Sequence, residues 1–283
     1  MKVLLTGASG FIGKNLIPKL LEKKYQVLAI ARSVESIKDL EWFGHIKVIQ
    51  CDLYESYEDI FNNQTDVNIL IHLAWQNLPN YKESFHISEN FPKNYEFLKA
   101  AVDKKIPHIL VAGTCLEYGI RSGALSEELD TKPSVAYGIA KDMLRKSLEK
   151  LKSEKNFIFQ WLRLFYIYGE GQAKNSLLSQ LDQAIENGDE EFKMSIGTQL
   201  RDYLSINDVA DNIILSISNP DIQGVINCCS GNPTSVLDLV VNRCKELGIY
   251  INLNRGFYKI PDYEPLDFWG IPAKINQMKK MNL

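Results

Sequence analysis

The 283-residue sequence has few of the residues that mark several protein classes. Its five cysteines have neither the spacing of a zinc site nor the density of a disulfide framework. It has four histidines and no His/Cys cluster, so no metal site is expected. No apolar run approaches the roughly 20 residues needed to cross a bilayer, and the chain does not open with an export-signal pattern. We therefore expect a cytoplasmic, metal-free protein that makes no membrane contact.

The charge pattern gives no case for a nucleic-acid partner. The formal net charge is −3, and no Lys/Arg-rich cluster is interleaved with aromatic residues. Hydrophobic residues make up 45% of the chain and charged residues 24%, which is typical of a globular protein. A small-molecule ligand is therefore the expectation.

Short apolar runs alternate with helical periodicity through the first 165 residues. The expected strands are 2–6, 25–31, 45–51, 67–74, 108–113 and 157–164. Helical stretches follow the first strand and cover 55–63, 90–104 and 137–154. Near-continuous apolar strands separated by helices predict an α/β fold with a doubly wound parallel sheet of the Rossmann type.

The rhythm loosens after about residue 165. Helices are expected at 176–188, 207–218 and 235–248, with a strand at 224–231 and no obvious long final helix. We predict a dinucleotide-binding domain over 1–165, with returning segments near 201–231. A smaller, interleaved C-terminal lobe over 166–283 would bind the substrate.

The stretch "LLTGASGFIGKNL" places Gly7, Gly10 and Gly13 between the first strand and the first helix. Three glycines in seven residues favour a tight turn whose backbone N–H groups approach a pyrophosphate, with the helix N-terminus adding a favourable field. The alternative is an ordinary glycine-rich turn. The position in a strand–turn–helix unit favours the nucleotide site.

The end of the second strand selects between cofactors. An NAD site usually has a carboxylate there, whereas this sequence has Arg32 and Ser33. A guanidinium and a hydroxyl suit a 2′-phosphate, so NADP(H) is favoured over NAD(H), although Arg32 could also be a solvated surface residue. Asp52 and Leu53 follow the third strand. Asp52 either accepts from the adenine amino group or caps a helix beginning near Tyr54.

Tyr137 and Lys141 lie four residues apart on one face of a predicted helix. A neighbouring ammonium, together with a cationic nicotinamide, would favour the phenolate and allow proton exchange near neutral pH. Thr114 leaves the fifth strand at the carboxyl edge of the sheet, where open α/β sheets bind ligands. Its hydroxyl could hydrogen-bond the reacting oxygen.

With these residues the chain resembles the extended short-chain dehydrogenase/reductase family, whose members include nucleotide-sugar epimerases, dehydratases and reductases. "TGASGFIG" resembles the cofactor loop, "CDL" the adenine-side motif and "HLA" the segment ending the fourth strand. Asn90 stands where the family begins a bracing helix. "LRLFYIYGEGQ" and "LRDYLSINDVA" resemble the segments leading into and contacting the substrate.

The resemblance implies roles for individual residues. Thr114, Tyr137 and Lys141 align with the Ser/Thr–Tyr–Lys catalytic set. The implied cofactor-binding residues are Gly7, Ser9, Gly10, Phe11, Ile12, Gly13, Arg32, Ser33, Asp52, Leu53, Leu73, Ala74, Tyr137 and Lys141. The implied substrate-binding residues are Thr114, Cys115, Tyr166, Asn175 and Arg201, with Arg201 on the diphosphate.

The sequence departs from the family pattern at two of these positions. Tyr166 replaces an asparagine that often holds the nucleotide sugar, and Cys115 replaces the acid that follows this position in sugar dehydratases. Cys115 either packs in the loop or touches substrate. The likeness also fades beyond about residue 250. The loop 75–89, with Trp75, Tyr81 and His86, is expected to select the sugar, and His86 is expected to be a surface or packing residue.

The resemblance implies hydride transfer at a sugar carbon. The missing acid argues against dehydration, and Arg32 favours an NADPH-dependent reductase. The expected reaction reduces the keto group of a nucleotide-linked 4-keto-6-deoxy sugar, in nucleotide-sugar biosynthesis for surface polysaccharide. The alternatives are a nucleotide-sugar epimerase and, more remotely, a non-catalytic NADP-binding redox sensor. A homodimer through helices 90–104 and 137–154 is also expected.

Overall fold

The computed structural model describes residues 1–63 and 66–281 of the chain. Its strands are β1 Lys2–Thr6, β2 Gln26–Ala31, β3 Lys47–Gln50, β4 Ile69–His72, β5 His108–Thr114, β6 Gly123–Leu125, β7 Ile158–Leu164, β8 Tyr166–Tyr168, β9 Glu191–Met194, β10 Leu200–Ser205, β11 Gly224–Cys228, β12 Pro233–Ser235, β13 Asn252–Arg255 and β14 Phe268–Gly270. Its α-helices are α1 Phe11–Glu22, α2 Glu58–Asn63, α3 Phe91–Asp103, α4 Ala136–Glu154, α5 Leu177–Asn187, α6 Ile206–Ser218, α7 Val236–Leu247 and α8 Ala273–Met281.

A seven-stranded sheet in the order β11-β7-β5-β4-β1-β2-β3 forms the centre of the molecule. Each of its neighbouring strand pairs is parallel. Strands buried on both faces explain the near-continuous apolar runs in the sequence. The predicted doubly wound α/β fold of the Rossmann type is confirmed.

Successive residues of the strands face two separate cores. Val3 and Leu5 of β1 pack with α1 and α6, whereas Leu4 packs with α3 and α4 on the opposite face. This alternation follows from the two-residue period of a strand. The strand order reverses between β1 and β4, and the carboxyl ends of these strands are the edge at which such sheets bind ligands.

The second half of the chain builds smaller sheets and also returns to the large core. β8, β10 and β12 form one small sheet, and β9 pairs with β13. Between them α5 and α7 enclose a separate core around Leu181 and Val240. β11, which lies within the expected returning segment near 201–231, joins the central sheet beside β7. The two-domain division itself stays a prediction.

Three local expectations differ from the structure. α8 was not predicted, because its sequence is mostly polar, yet Ile275 and Met278 are buried in the large core rather than in the smaller lobe. α2 begins at Glu58 and not near Tyr54. One turn of π-helix, His86–Asn90, precedes α3. Among the described residues, no helix is both long and apolar enough to cross a membrane.

Candidate active site

The glycine turn joins β1 to α1 and is tightly packed. Gly7 has φ +73°, and a Cβ there would lie 2.9 Å from the Ala74 backbone nitrogen at the end of β4. A Cβ on Gly13 would lie 2.3 Å from the Gly7 carbonyl oxygen. These distances are too short for any side chain, so both positions require glycine. Gly13 therefore lets α1 pack directly against the turn.

A cavity of about 170 Å³, here called cavity A, opens beside this turn. Gly10 is the N-cap of α1 and contributes no side-chain cap, so the first helical N–H groups face the turn. The predicted cofactor residues that line cavity A are Gly7, Ser9, Gly10, Arg32, Asp52, Leu53, Leu73 and Ala74. Tyr54, Trp75 and Gln76 also line it and were not assigned to the cofactor from the sequence. Backbone donors, a helix N-terminus and a guanidinium on one cavity fit a phosphorylated dinucleotide.

Asp52 realises part of its second predicted role. Its Oδ1 accepts a hydrogen bond from the Tyr54 backbone N–H at 2.9 Å. Since α2 begins only at Glu58, Asp52 caps a turn and not a helix. Its position on cavity A keeps adenine contact as a prediction. Ser33 is not among the residues that line cavity A, and its carbonyl accepts from the Ser36 hydroxyl instead.

A second cavity of about 490 Å³, cavity B, lies at the carboxyl edge of the sheet. Thr114 ends β5 and Tyr137 lies in the first turn of α4, and both line this cavity. Phe11 and Ile12 at the start of α1 also line it, so cavities A and B are both bordered by the segment that runs from the glycine turn into α1. The structure thus brings two of the three predicted catalytic residues to one opening next to the predicted cofactor loop.

Lys141 lies one turn along α4 from Tyr137 and is 2% exposed. Its Nζ donates to the Ala112 carbonyl of β5 at 2.8 Å. Burial lowers the pKa of Lys141 to about 7, while the Glu117 carboxylate opposes this shift. Lys141 is not among the residues that line cavity A or cavity B, although it lies one turn from Tyr137, which lines cavity B.

The pKa of Tyr137 differs from the expectation of an easily formed phenolate. Burial raises the pKa of the phenol above its usual value, with Tyr81, Glu117 and Cys115 adding to the rise and the Thr114 hydroxyl opposing it. Desolvation disfavours the charged form more than the neighbouring groups favour it. In the protein alone, Tyr137 thus keeps its proton at neutral pH, as a general acid must.

Glu117 supports this site and was not identified from the sequence. Its Oε1 accepts from the Thr114 backbone N–H at 2.8 Å and from Trp161 Nε1 at 2.9 Å. Its Oε2 accepts from Arg163 Nε at 2.8 Å. Thr114 and Glu117 form a capping box, and the spacing T-x-x-E was a readable signal for it. Glu117 is fully buried and does not line cavity B, so it is not a replacement for the dehydratase acid.

The predicted substrate residues fall into two groups. Cys115, Tyr166 and Asn175 line cavity B. Cys115 also packs in an apolar cluster with Phe165 and Phe268, which is one of its two expected roles, and its contact with substrate stays a prediction. Burial raises the pKa of the Cys115 thiol well above its usual range, which keeps it neutral.

Arg201 is placed differently. It is 2% exposed, and its Nη2 donates to Glu264 Oε2 at 2.9 Å. Nη1 donates to the Leu200 and Leu266 carbonyl oxygens. Arg201 does not line cavity B, whereas Glu264 does. The expected diphosphate contact stays a prediction, and in the structure the Arg201 guanidinium is paired with Glu264. No sequence pattern marked Glu264, which lies 63 residues from its partner.

Within the described part of the chain, no group of three or more His, Cys, Asp or Glu side chains could hold a metal ion. The chemistry that the site's own groups can perform is proton transfer by Tyr137, assisted by the Thr114 hydroxyl and the Lys141 ammonium. The hydride acceptor or donor would be a dinucleotide held along cavity A.

Known proteins match the chain over most of its length. The sequence model described as the NAD dependent epimerase/dehydratase family matches residues 3–229. The dTDP-6-deoxy-L-talose 4-dehydrogenase (NAD(+)) of Aggregatibacter actinomycetemcomitans is 30% identical over 279 residues, which cover 95% of this chain and 99% of that protein. The GDP-6-deoxy-D-talose 4-dehydrogenase of the same organism is 29% identical, over 87% of this chain and 80% of that protein.

A solved structure gives a similar result. The UDP-glucuronic acid 4-epimerase from Bacillus cereus, in complex with UDP-glucuronic acid and NAD, superposes with a TM-score of 0.84 at 25% identity. The match covers 99% of this chain and 93% of that one.

Proposed function

Because the chain belongs to the NAD-dependent epimerase/dehydratase family, we propose that it transfers hydride between NADP(H) and carbon 4 of a nucleotide-linked 6-deoxy sugar. Membership confirms the resemblance drawn from the motifs and the expectation of an NAD(P)-dependent enzyme. Two relatives are named as 4-dehydrogenases of 6-deoxytalose nucleotides, which supports the sugar class and the carbon. The observation that carries the proposal is Thr114 and Tyr137 on one cavity beside the glycine turn.

We favour the direction of reduction, from a 4-keto-6-deoxy sugar to the 4-hydroxyl. Because its pKa is raised, Tyr137 is protonated at neutral pH and has the proton that the new hydroxyl requires. Tyr137 would donate this proton to the keto oxygen, and Thr114 would hydrogen-bond the same oxygen. Lys141 would hold the nicotinamide ribose and stabilise the phenolate after transfer. When bound, the reduced dinucleotide would supply the hydride.

The test is a panel of dTDP- and GDP-linked 4-keto-6-deoxyhexoses, with NADPH oxidation followed by absorbance. We expect turnover with at least one member, and a loss of about 10²- to 10⁴-fold in kcat for Tyr137→Phe. Tyr250→Phe is the matched control, because Tyr250 is 91% exposed and lines neither cavity A nor cavity B. Full activity in Tyr137→Phe would refute the proton-transfer role.

NADP(H) preference rests on Arg32, whose side chain lines cavity A. The name of the 30% identical relative specifies NAD(+), so the preference needs its own test. We expect Arg32→Ala to raise the KM for NADPH roughly tenfold, as loss of a charge-assisted contact predicts, and to leave the KM for NADH within about twofold. Lys38→Ala is the control, since Lys38 pairs with Glu35. A wild-type enzyme that prefers NADH would overturn this part.

A nucleotide-sugar 4-epimerase is the second candidate, supported by the Bacillus cereus structure. An epimerase retains its cofactor and returns the hydride to the opposite face of carbon 4. Interconversion of two 4-epimers without added NADPH, together with no NADPH oxidation on the panel, would favour it. The cytoplasmic location, the homodimer and the Arg201 contact remain predictions.

A further inference from the structure

Lys141 has two fixed contacts in a buried environment. One N–H donates to the Ala112 carbonyl, and the ammonium nitrogen lies 4.0 Å from the centre of the Trp75 ring. An ammonium has three N–H groups, so these contacts leave one direction for a ligand. An aromatic face attracts a cation, and the attraction is stronger when the cation is desolvated.

Trp75 is itself held in place from behind. Its Nε1–H donates to His86 Nδ1 at 3.1 Å, and the two rings stack with 6.2 Å between centres. Asn90 Nδ2 donates to the same nitrogen at 3.0 Å. Because Nδ1 accepts two hydrogen bonds, the fully buried imidazole is neutral, with its proton on Nε2.

The other nitrogen of His86 fixes the loop that borders cavity B. Nε2–H donates to the Asn80 carbonyl at 3.1 Å. The carbonyl of the next residue, Tyr81, accepts a hydrogen bond from the Tyr137 backbone N–H at 3.0 Å, and the Tyr81 ring lies 5.5 Å from the Tyr137 ring at a tilt of 32°. Tyr81 lines cavity B with Leu78 and Pro79. One imidazole therefore ties the Trp75 ring to the loop that borders the reaction cavity.

We propose that Trp75, locked by His86, is a positioning residue for Lys141, which it holds charged and aimed at the cofactor. The role goes beyond the residues assigned above and rests on the proposed function. Trp75 lines cavity A, so a bound dinucleotide would meet the same ring that covers Lys141. In this position Trp75 would fix the orientation and the charge of Lys141 when the cofactor is bound.

The charges around Lys141 give the sign of the effect. Burial lowers the pKa of Lys141 and the Glu117 carboxylate opposes this shift, while the neighbouring His72 and His86 are buried imidazoles with lowered pKa values. Tyr137 faces it from the same helix and has a raised pKa. The Trp75 ring favours the ammonium, so removing it lowers the pKa of Lys141 further. If the rate requires the ammonium, its decline on the alkaline side of the pH profile will then begin at a lower pH.

The experiment compares Trp75→Leu and Trp75→Phe with the wild-type enzyme across pH. For Trp75→Leu we expect kcat to fall roughly tenfold and the alkaline limb to move down by about 0.5 to 1 pH unit, as loss of a desolvated cation–π contact predicts. The KM for the nucleotide sugar should change less than about threefold. Trp75→Phe keeps an aromatic face without the N–H and should restore most of the limb position. Trp269→Phe is the matched control, because Trp269 lies in β14 and lines neither cavity A nor cavity B.

A second readout does not depend on turnover. The difference in tryptophan fluorescence between wild type and Trp75→Phe should titrate with Lys141, and Lys141→Met should abolish the transition. His86→Leu should lower kcat in the same direction, because it frees the Trp75 ring. An unchanged pH limb in Trp75→Leu, or a fluorescence difference that does not titrate, would overturn the proposal. Absence of any sugar turnover would refute the proposed function, while the fluorescence titration still decides the Trp75–Lys141 contact.

Discussion

Replacing Glu117 by Gln removes one charge from a fully buried ion pair while keeping the shape of the side chain. Glu117 Oε2 accepts from Arg163 Nε at 2.8 Å, and Arg163 is also buried. Glutamine can still accept from Thr114 N–H and Trp161 Nε1 through one oxygen. Its NH₂ group would then face the Arg163 donor, so the guanidinium loses its only carboxylate contact among the described residues.

The expected loss of stability is large for a single-atom change. Breaking one partner of a buried ion pair costs about 3 to 5 kcal/mol, because the other charge remains buried. Two hydrogen bonds survive in Glu117→Gln, so we expect about 3 kcal/mol. For a chain of this size that corresponds to a fall in Tm of roughly 6 to 12 °C. Thr114 stays anchored, so kcat should fall less than it does in Tyr137→Phe.

The assay is equilibrium denaturation in urea together with thermal melting. Asp182→Asn is the matched control, since it neutralises a carboxylate paired with Arg243 at the surface at 2.9 Å. Exposed pairs of this kind contribute about 0 to 1 kcal/mol. Glu117→Gln combined with Arg163→Met should be more stable than Glu117→Gln alone, because the unpaired charge is gone. A loss below 1 kcal/mol in Glu117→Gln, or strict additivity in the double variant, would refute the reasoning.

Two further predictions follow from the turn and from a buried histidine. Gly13→Ala places a Cβ 2.3 Å from the Gly7 carbonyl and should cost about 1 to 3 kcal/mol and most dinucleotide affinity, measured by calorimetry, whereas Gly44→Ala, with no atom within 4 Å, should be neutral. Burial and the nearby Lys141 lower the pKa of His72 to about 3, with the hydrogen bond to Asn94 opposing. Between pH 6.5 and 3 the unfolded chain therefore binds a proton that the folded chain does not. The free energy of unfolding consequently decreases as the pH is lowered through this range. When the pH is lowered from 7 to 5, the free energy of unfolding of His72→Gln should decrease by about 1 to 2 kcal/mol less than that of wild type. The variant of the exposed His45, His45→Gln, should match wild type. Equal pH dependence of stability in all three proteins would contradict this assignment.

Local patterns were sufficient for the central sheet and for the placement of several candidate site residues. The apolar runs around β1, β4 and β5 each fit one buried parallel strand, and their boundaries moved by only a few residues. Gly7 and Gly13 were identified because only glycine fits a turn this close to other backbone atoms. The Tyr137 and Thr114 positions followed from helical spacing and from the carboxyl edge of the sheet.

Contacts between distant segments could not be predicted in this way. Arg201 pairs with Glu264, and β9 pairs with β13 across about 60 residues. Neither pairing leaves a periodic signal in either segment. The Trp75–His86 contact lies within one loop, but His86 begins a turn of π-helix that no residue pattern indicated. The pKa of Tyr137 also needed the structure, because burial outweighs the charge effects that spacing alone suggests.

The most direct test of the proposed chemistry follows the label from NADPH carrying deuterium at the transferable position of its nicotinamide. The enzyme is incubated with a dTDP- or GDP-linked 4-keto-6-deoxyhexose, and the product is examined by mass spectrometry and NMR. We predict one deuterium at carbon 4 of the sugar for each NADPH consumed, and about 10²- to 10⁴-fold slower incorporation with Tyr137→Phe. A product without deuterium, or with deuterium at another carbon, would contradict hydride transfer from NADPH to carbon 4.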